Sequence, residues 1–125
     1  MNYQKDVTDF MVAGGHLVAK TPEITEENLE QAKLYMNLVE EEFKELSEGF
    51  VRRNVIDIAD GGADLVWVVQ GLFTTLGIDF DRVWEEVRKS NMSKVSSTGK
   101  IEKRPDGKIM KPATYFKPNI AKALR

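Results

Sequence analysis

The 125-residue chain is predicted to be all-α: a four-helix bundle over about residues 2–90, followed by a basic, loop-rich arm over about 91–125. Its length fits one domain, taken as residues 1–125. Three observations carry this expectation. Leu29, Ala32, Met36, Val39, Phe43, Leu46 and Phe50 recur at alternating spacings of 3 and 4, the spacing of a helix with a heptad-like seam. No pair of alternating apolar–polar segments marks two strands, and at most a short hairpin is expected around Asp106-Gly107. The charge also divides. Residues 1–87 hold 7 Lys/Arg and 18 Asp/Glu, whereas residues 88–125 hold 11 Lys/Arg with only Glu102 and Asp106.

The first helix is expected over residues 2–20, with Val7, Phe10, Met11, Leu17 and Val18 as apolar contacts and Gly14-Gly15 as a weak point. Thr21-Pro22 ends it. His16 is read as a packing or surface residue, since nothing metal-like surrounds it. The second helix starts near Thr25, an N-cap followed by Glu26 and Glu27 in the favourable first turn, and runs to about Phe50. The third covers about Val55 to Leu76. It is apolar on nearly every side, as a buried helix is, and Gly77 closes it. Asp79 caps a shorter fourth helix with Phe80, Val83, Trp84 and Val87 on one face. From Ser90 onward Ser, Lys, Gly and Pro replace the periodic pattern.

Composition removes several classes of chemistry. There is no cysteine, hence no disulfide, thiol nucleophile or Cys-based zinc site, and one histidine excludes a multi-histidine metal site within the chain. No apolar run approaches the ~20 residues of a membrane span, and the N-terminus lacks a signal-peptide pattern. The expectation is a soluble, cytoplasmic protein without a membrane partner, whose chemistry rests on carboxylates and lysines.

Those carboxylates stand on unexpected faces. At ~100° per residue, Glu42 and Glu45 fall inside the arc of Tyr35, Leu38, Val39 and Leu46. Glu41 sits at its edge, while Glu40 and Lys44 point away. On the third helix Asp57, Asp60 and Asp64 share one strip of an otherwise apolar surface. An unpaired buried carboxylate costs several kcal/mol, so these groups need partners. Two inward acidic strips form an oxygen-rich pocket suited to Mg²⁺, or Mn²⁺ in its place. The competing reading pairs the aspartates with Arg52, Arg53 or lysines of the arm. Lysines bind phosphate as point charges, and carboxylate-held Mg²⁺ completes its shell with substrate phosphates. A polyphosphate bridged between the acidic pocket and the basic arm satisfies both halves of the chain. A nucleic-acid-binding arm would leave the acidic strips unexplained, so nucleic acid is not the expected partner.

Glu41-Glu42-Phe43-Lys44-Glu45 resembles the EExxE motif of the all-α nucleoside triphosphate pyrophosphatases, which include MazG, the dimeric dUTPases and phosphoribosyl-ATP pyrophosphohydrolase. Ala63 to Gly71 is similar to the stretch after the second acidic motif, ExxD. Leu76 to Asp79, Glu86 to Lys94, Asp106-Gly107-Lys108 and Lys111-Pro112 resemble the MazG-like, phosphoribosyl-ATP pyrophosphohydrolase-like branch, so that the likeness spans about residues 29–118. It implies a MazG-like bundle in which Glu42, Glu45 and Asp64 bind Mg²⁺ and Glu41 orients or deprotonates the attacking water. It also implies that Asn91, Lys94, Lys108 and Lys111 hold sugar or phosphates. One position departs from the motif: Gly61 stands where ExxD has its first acid. Asp60, on the same strip as Asp64, is carried as the substitute ligand, with Gly61 and Gly62 leaving it room.

The expected activity is hydrolysis of a (d)NTP between the α- and β-phosphates to monophosphate and pyrophosphate, of the housecleaning or dUTP/dCTP type. Phosphoribosyl-ATP hydrolysis is the less favoured substrate reading. Arg53 or Arg104 are possible additional phosphate contacts. Trp67, Trp84 and Tyr35 are read as core residues before base-stacking ones. The rivals are a weakly active or inactive nucleotide-binding regulator, through Gly61, and a basic-tailed nucleic-acid-binding protein. The apolar third helix and long seam exceed what four helices cover, which favours self-association; the resemblance implies a homodimer or a tetramer of dimers.

Overall fold

Side-chain caps set the helix boundaries in the computed structural model, which describes residues 1–125. Asn2 accepts a hydrogen bond from the Lys5 amide and opens α1, Tyr3–Ala13. Thr25 and Asn28 form a reciprocal capping box that opens α2, Glu26–Val51. Asn54 caps α3, Val55–Thr75, Asp79 caps α4, Phe80–Met92, and Asn119 caps a single turn, α5, Ile120–Ala123. The fold is all-helical, and its one extended pairing is an isolated antiparallel bridge between Lys103 and Ile109 across the Asp106-Gly107 turn. No single helix is long and apolar enough to cross a membrane.

The chain divides into two compact units, Met1–Ile78 with α1 to α3 and Asp79–Arg125 with α4, the arm and α5. In the first unit, α2 and α3 run antiparallel in a register set by three glycines. A Cβ on Gly71 would lie 2.1 Å from the Tyr35 ring, one on Gly61 would lie 3.0 Å from Leu46 Cα, and one on Gly49 would lie 3.0 Å from Asp57 Cβ. Each step back along α2 is matched by a step forward along α3. The missing side chains let the two backbones approach closely along most of their shared length. Val7 and Met11 of α1 complete the core with Tyr35 and Val68, flanked by Leu38, Val39 and Leu72.

The first helix ends at Ala13, seven residues before its expected end. The Gly14-Gly15 pair is the cause. Gly15 adopts φ +74°, and the His16 amide returns to the Met11 carbonyl, closing the helix with a left-handed glycine. The following loop is held by Gln31, whose side chain accepts from the Leu17 amide and donates to the Leu17 carbonyl. His16 packs as expected, with its Nδ1 3.0 Å from the Tyr35 hydroxyl.

Two expectations about burial are overturned. The third helix is not buried all round: Val55, Ile56, Val66 and Trp67 are exposed. Within the first unit it has only α1 and α2 as neighbours, and two helices cannot cover a third on every side. The heptad seam of α2 is left partly open, as expected of a seam longer than four helices cover: Leu29, Met36, Phe43 and Phe50 are exposed, Phe50 at 71%, while Ala32 is buried. The exposed residues lie to one side of the arc that faces α3. Of the three aromatics read as core, Tyr35 is buried, but Trp67 and Trp84 are exposed.

The adjacent glycines of α3 should respond oppositely to alanine. Gly62 faces open space, so Gly62→Ala should stabilise the protein by about 1 kcal/mol through helix propensity. Gly61→Ala presses a methyl group on the Leu46 backbone and should destabilise it by about 1–3 kcal/mol. Urea unfolding of both variants checks this; shifts of the same sign would contradict the register described above.

Candidate metal centre

The α2–α3 register brings Glu42 opposite Asp64. Glu45 lies one turn along α2 on the same face, and one carboxylate oxygen from each of Glu42, Glu45 and Asp64 lies within 4.8 Å of the others. Glu42 Oε2 is buried without a hydrogen-bond partner. Three like charges converge with no cation among them. Burial pushes the Glu42 carboxyl above its ordinary value, and the Glu45 and Asp64 carboxylates, with neighbouring Glu41, push it further. The Asp64 carboxyl is raised first by burial, then by Asp60 and Glu45. Three oxygen donors, one of them a buried orphan, fit a hard divalent cation such as Mg²⁺ or Mn²⁺.

Asp60 and Glu41 lie outside this triad. The space above Gly61 is filled by the Leu46 backbone, whereas Gly62 faces open space, so of the two glycines expected to leave room beside Asp60 only Gly62 does. Close helix packing, rather than space for a ligand, accounts for Gly61. Asp60 instead lines a neighbouring cleft of about 290 Å³, together with Glu45, Glu48, Arg52, Asp57 and Gly61. Glu41 is exposed, adjacent in sequence to Glu42.

The competing reading of the aspartates holds for one of them. Asp57 Oδ2 accepts from Arg52 Nη2 at 3.1 Å, with both side chains about half exposed. Glu48 and Arg52 were not among the residues expected at the site, although their spacing of three and seven from Glu45 puts them on its face.

In the second unit, Lys94 donates to Asn91 Oδ1 at 3.0 Å, and the Lys94 and Lys111 ammonium groups lie 5.9 and 4.9 Å from the Tyr115 ring centre. Two of the four expected substrate-binding residues, Lys94 and Lys111, therefore share one aromatic ring, and a third, Asn91, is bonded to Lys94. Lys108 sits in the bridged turn, where its amide donates to Asp106 Oδ1. Arg104 is engaged with Asp106 at 2.6 Å. Ser90 and Ser93 have a role that was not anticipated. The Ser90 hydroxyl donates to the Phe116 carbonyl and the Ser93 hydroxyl accepts from the Phe116 amide, fastening the arm to α4.

Residues 7–91 match the family model of phosphoribosyl-ATP pyrophosphohydrolase. No curated protein matches the chain.

The raised acids fix a sign for pH dependence. Below the ordinary carboxylate range both states are protonated. Between that range and the raised folded values, the native state binds more protons than the unfolded one, so the metal-free protein loses stability as pH rises through this window. A divalent cation requires the ionised carboxylates. The increase in Tm on adding Mn²⁺ should therefore be larger at about pH 7.5 than at about pH 5. Differential scanning calorimetry checks this, and an equal or inverted response would count against the triad as a cation site.

Proposed function

Since the chain belongs to the phosphoribosyl-ATP pyrophosphohydrolase family, within the MazG-like all-α pyrophosphohydrolases, we propose that its nucleotide pyrophosphohydrolase activity acts on a (d)NTP with Mg²⁺ as cofactor. The bond cleaved is the one between the α- and β-phosphates, giving a nucleoside monophosphate and pyrophosphate. The observation that carries this reading is the convergence of Glu42, Glu45 and Asp64 around a buried, unpartnered carboxylate oxygen in a chain of that family.

Glu42, Glu45 and Asp64 would hold the cation, with Asp60 at the cleft wall as an auxiliary acid. Bound there, a divalent cation supplies Lewis acidity toward phosphate oxygens and water. Glu41, outside the triad and solvent-accessible, acts as general base. Its carboxylate accepts a proton from the water that attacks the α-phosphorus, and the bond to the bridging oxygen breaks as pyrophosphate leaves. Asn91, Lys94, Lys108 and Lys111 form a sugar- and phosphate-binding surface of the second unit. The two lysines over Tyr115 favour an anionic ligand there. The substrate class proposed is a dNTP of the nucleotide pool, in a housecleaning or dUTP/dCTP-type role.

The exposed seam of α2 and the uncovered face of α3 support self-association as a homodimer or tetramer.

Pyrophosphate release from a panel of standard and modified dNTPs and phosphoribosyl-ATP, with Mg²⁺ and with EDTA, tests the reaction. Metal-dependent release from at least one dNTP is expected. Saturable nucleotide binding without any release would favour a regulatory protein instead. Asp64→Asn should abolish turnover, and Glu41→Gln should lower kcat by about 10²–10⁴-fold while retaining metal binding. Sedimentation analysis should give at least twice the 14.2 kDa chain mass; a monomer at micromolar concentration would refute self-association.

A further inference from the structure

The cleft beside the triad has an unbalanced lining. Glu45, Glu48, Asp57 and Asp60 contribute carboxylates, Gly61 contributes backbone, and Arg52 contributes the only cation. A triphosphate is itself strongly anionic. Even with the triad's charge offset by a cation, the remaining acids would repel the end of any phosphate chain that extended from the triad into this cleft. A fixed positive group is needed there, and Arg52 is the only lining residue that can supply one.

Local structure holds Arg52 in place. It is the C-cap of α2, with its amide bonded to the Glu48 carbonyl. The next residues close the helix tightly: the Arg53 amide returns to Phe50 O, the Asn54 amide returns to Gly49 O, and Arg53 occupies φ +54°. Gly49 allows α3 to approach until Asp57 lies against α2, and Asn54 fixes the Asp57 amide at 3.1 Å. Asp57 then presents its carboxylate to the Arg52 guanidinium. A half-exposed ion pair of this kind contributes little to stability, so the guanidinium can exchange one anionic partner for another at small cost. Its planar fork of donors suits two phosphate oxygens as well as it suits a carboxylate.

We propose that Arg52 is a substrate-binding residue of the pyrophosphohydrolase: parked on Asp57 in the free protein, it transfers its guanidinium to the departing pyrophosphate end of the phosphate chain. The assignment rests on the reading of Glu42, Glu45 and Asp64 as the cation site. Asp57 is only the anion on which the Arg52 guanidinium rests in the absence of substrate.

A comparison of Arg52→Gln with Asp57→Asn distinguishes this role from a structural ion pair, because both variants break the same pair. If the pair were only structural, the two would behave alike. If Arg52 contacts phosphate, the responses separate. Arg52→Gln should lower kcat/KM for the triphosphate about tenfold or more, with Mn²⁺ affinity and Tm unchanged. Arg52→Lys, which keeps the charge without the fork, should recover part of the loss, and Asp57→Asn should stay within about twofold of the parent. Calorimetric titration with tripolyphosphate in the presence of Mn²⁺ gives a readout that needs no turnover. Arg52→Gln should weaken that binding by a similar factor, and Asp57→Asn should not. Equal effects of the two variants, or no effect of Arg52→Gln, would overturn the proposal. The absence of both turnover and Mn²⁺ binding by the parent would sink the cation-site reading instead. The tripolyphosphate comparison without metal would then decide Arg52 by the same criterion.

Discussion

The close approach of α2 and α3 at Gly49, Gly61 and Gly71 governs the arrangement of the first unit. Where a Cβ would meet the facing Tyr35 ring, the Leu46 backbone or the Asp57 Cβ at 2.1–3.0 Å, the absence of a side chain lets two long helices lie against each other in one antiparallel register. That register has consequences at both ends of the pair. Toward the start of α2 it places Tyr35 over Gly71, and Val7 and Met11 of α1 close the core there. Toward the other end it sets Glu42 against Asp64 and Asp57 against Gly49. A change in helix separation would disturb the core and the acidic triad together.

The same packing leaves an electrostatic debt. Three carboxylates are gathered within 4.8 Å, and burial with mutual repulsion raises the affinity of Glu42 and Asp64 for protons. Hydrogen bonds from the protein leave Glu42 Oε2 unsatisfied, as they do Gln70 Oε1, whereas buried Asn28 is bonded on both its amide oxygen and its nitrogen. An arrangement that disfavours the ion-free, fully ionised state is suited to a group that exchanges protons for a cation.

Apolar surface is distributed in an equally directed way. The exposed side chains of α2 recur along one seam, and those of α3 along one face. A solvated helix would carry charged residues in these positions. Here Leu29, Met36, Phe43 and Phe50 of α2 and Val55, Ile56, Val66 and Trp67 of α3 stand in such positions.

Much of this was legible in the sequence because it depends on local chemistry. Thr25 and Asp79 mark helix starts through hydrogen bonds to residues three positions away, and Gly77 marks an end through its left-handed backbone. Helical phase alone was sufficient to group Glu42 with Glu45 and to show that Asp64 shares a strip with Asp57 and Asp60. It could not say which of the three aspartates meets the glutamates, because that depends on the register between two helices. Nor could periodicity distinguish a seam covered by the chain from one left open, since both repeat at 3 and 4. Gly61 shows the difference most clearly. By sequence it was a gap in an acidic motif; in three dimensions it is a contact with the Leu46 backbone, which determines where the acids on either side of it come to lie.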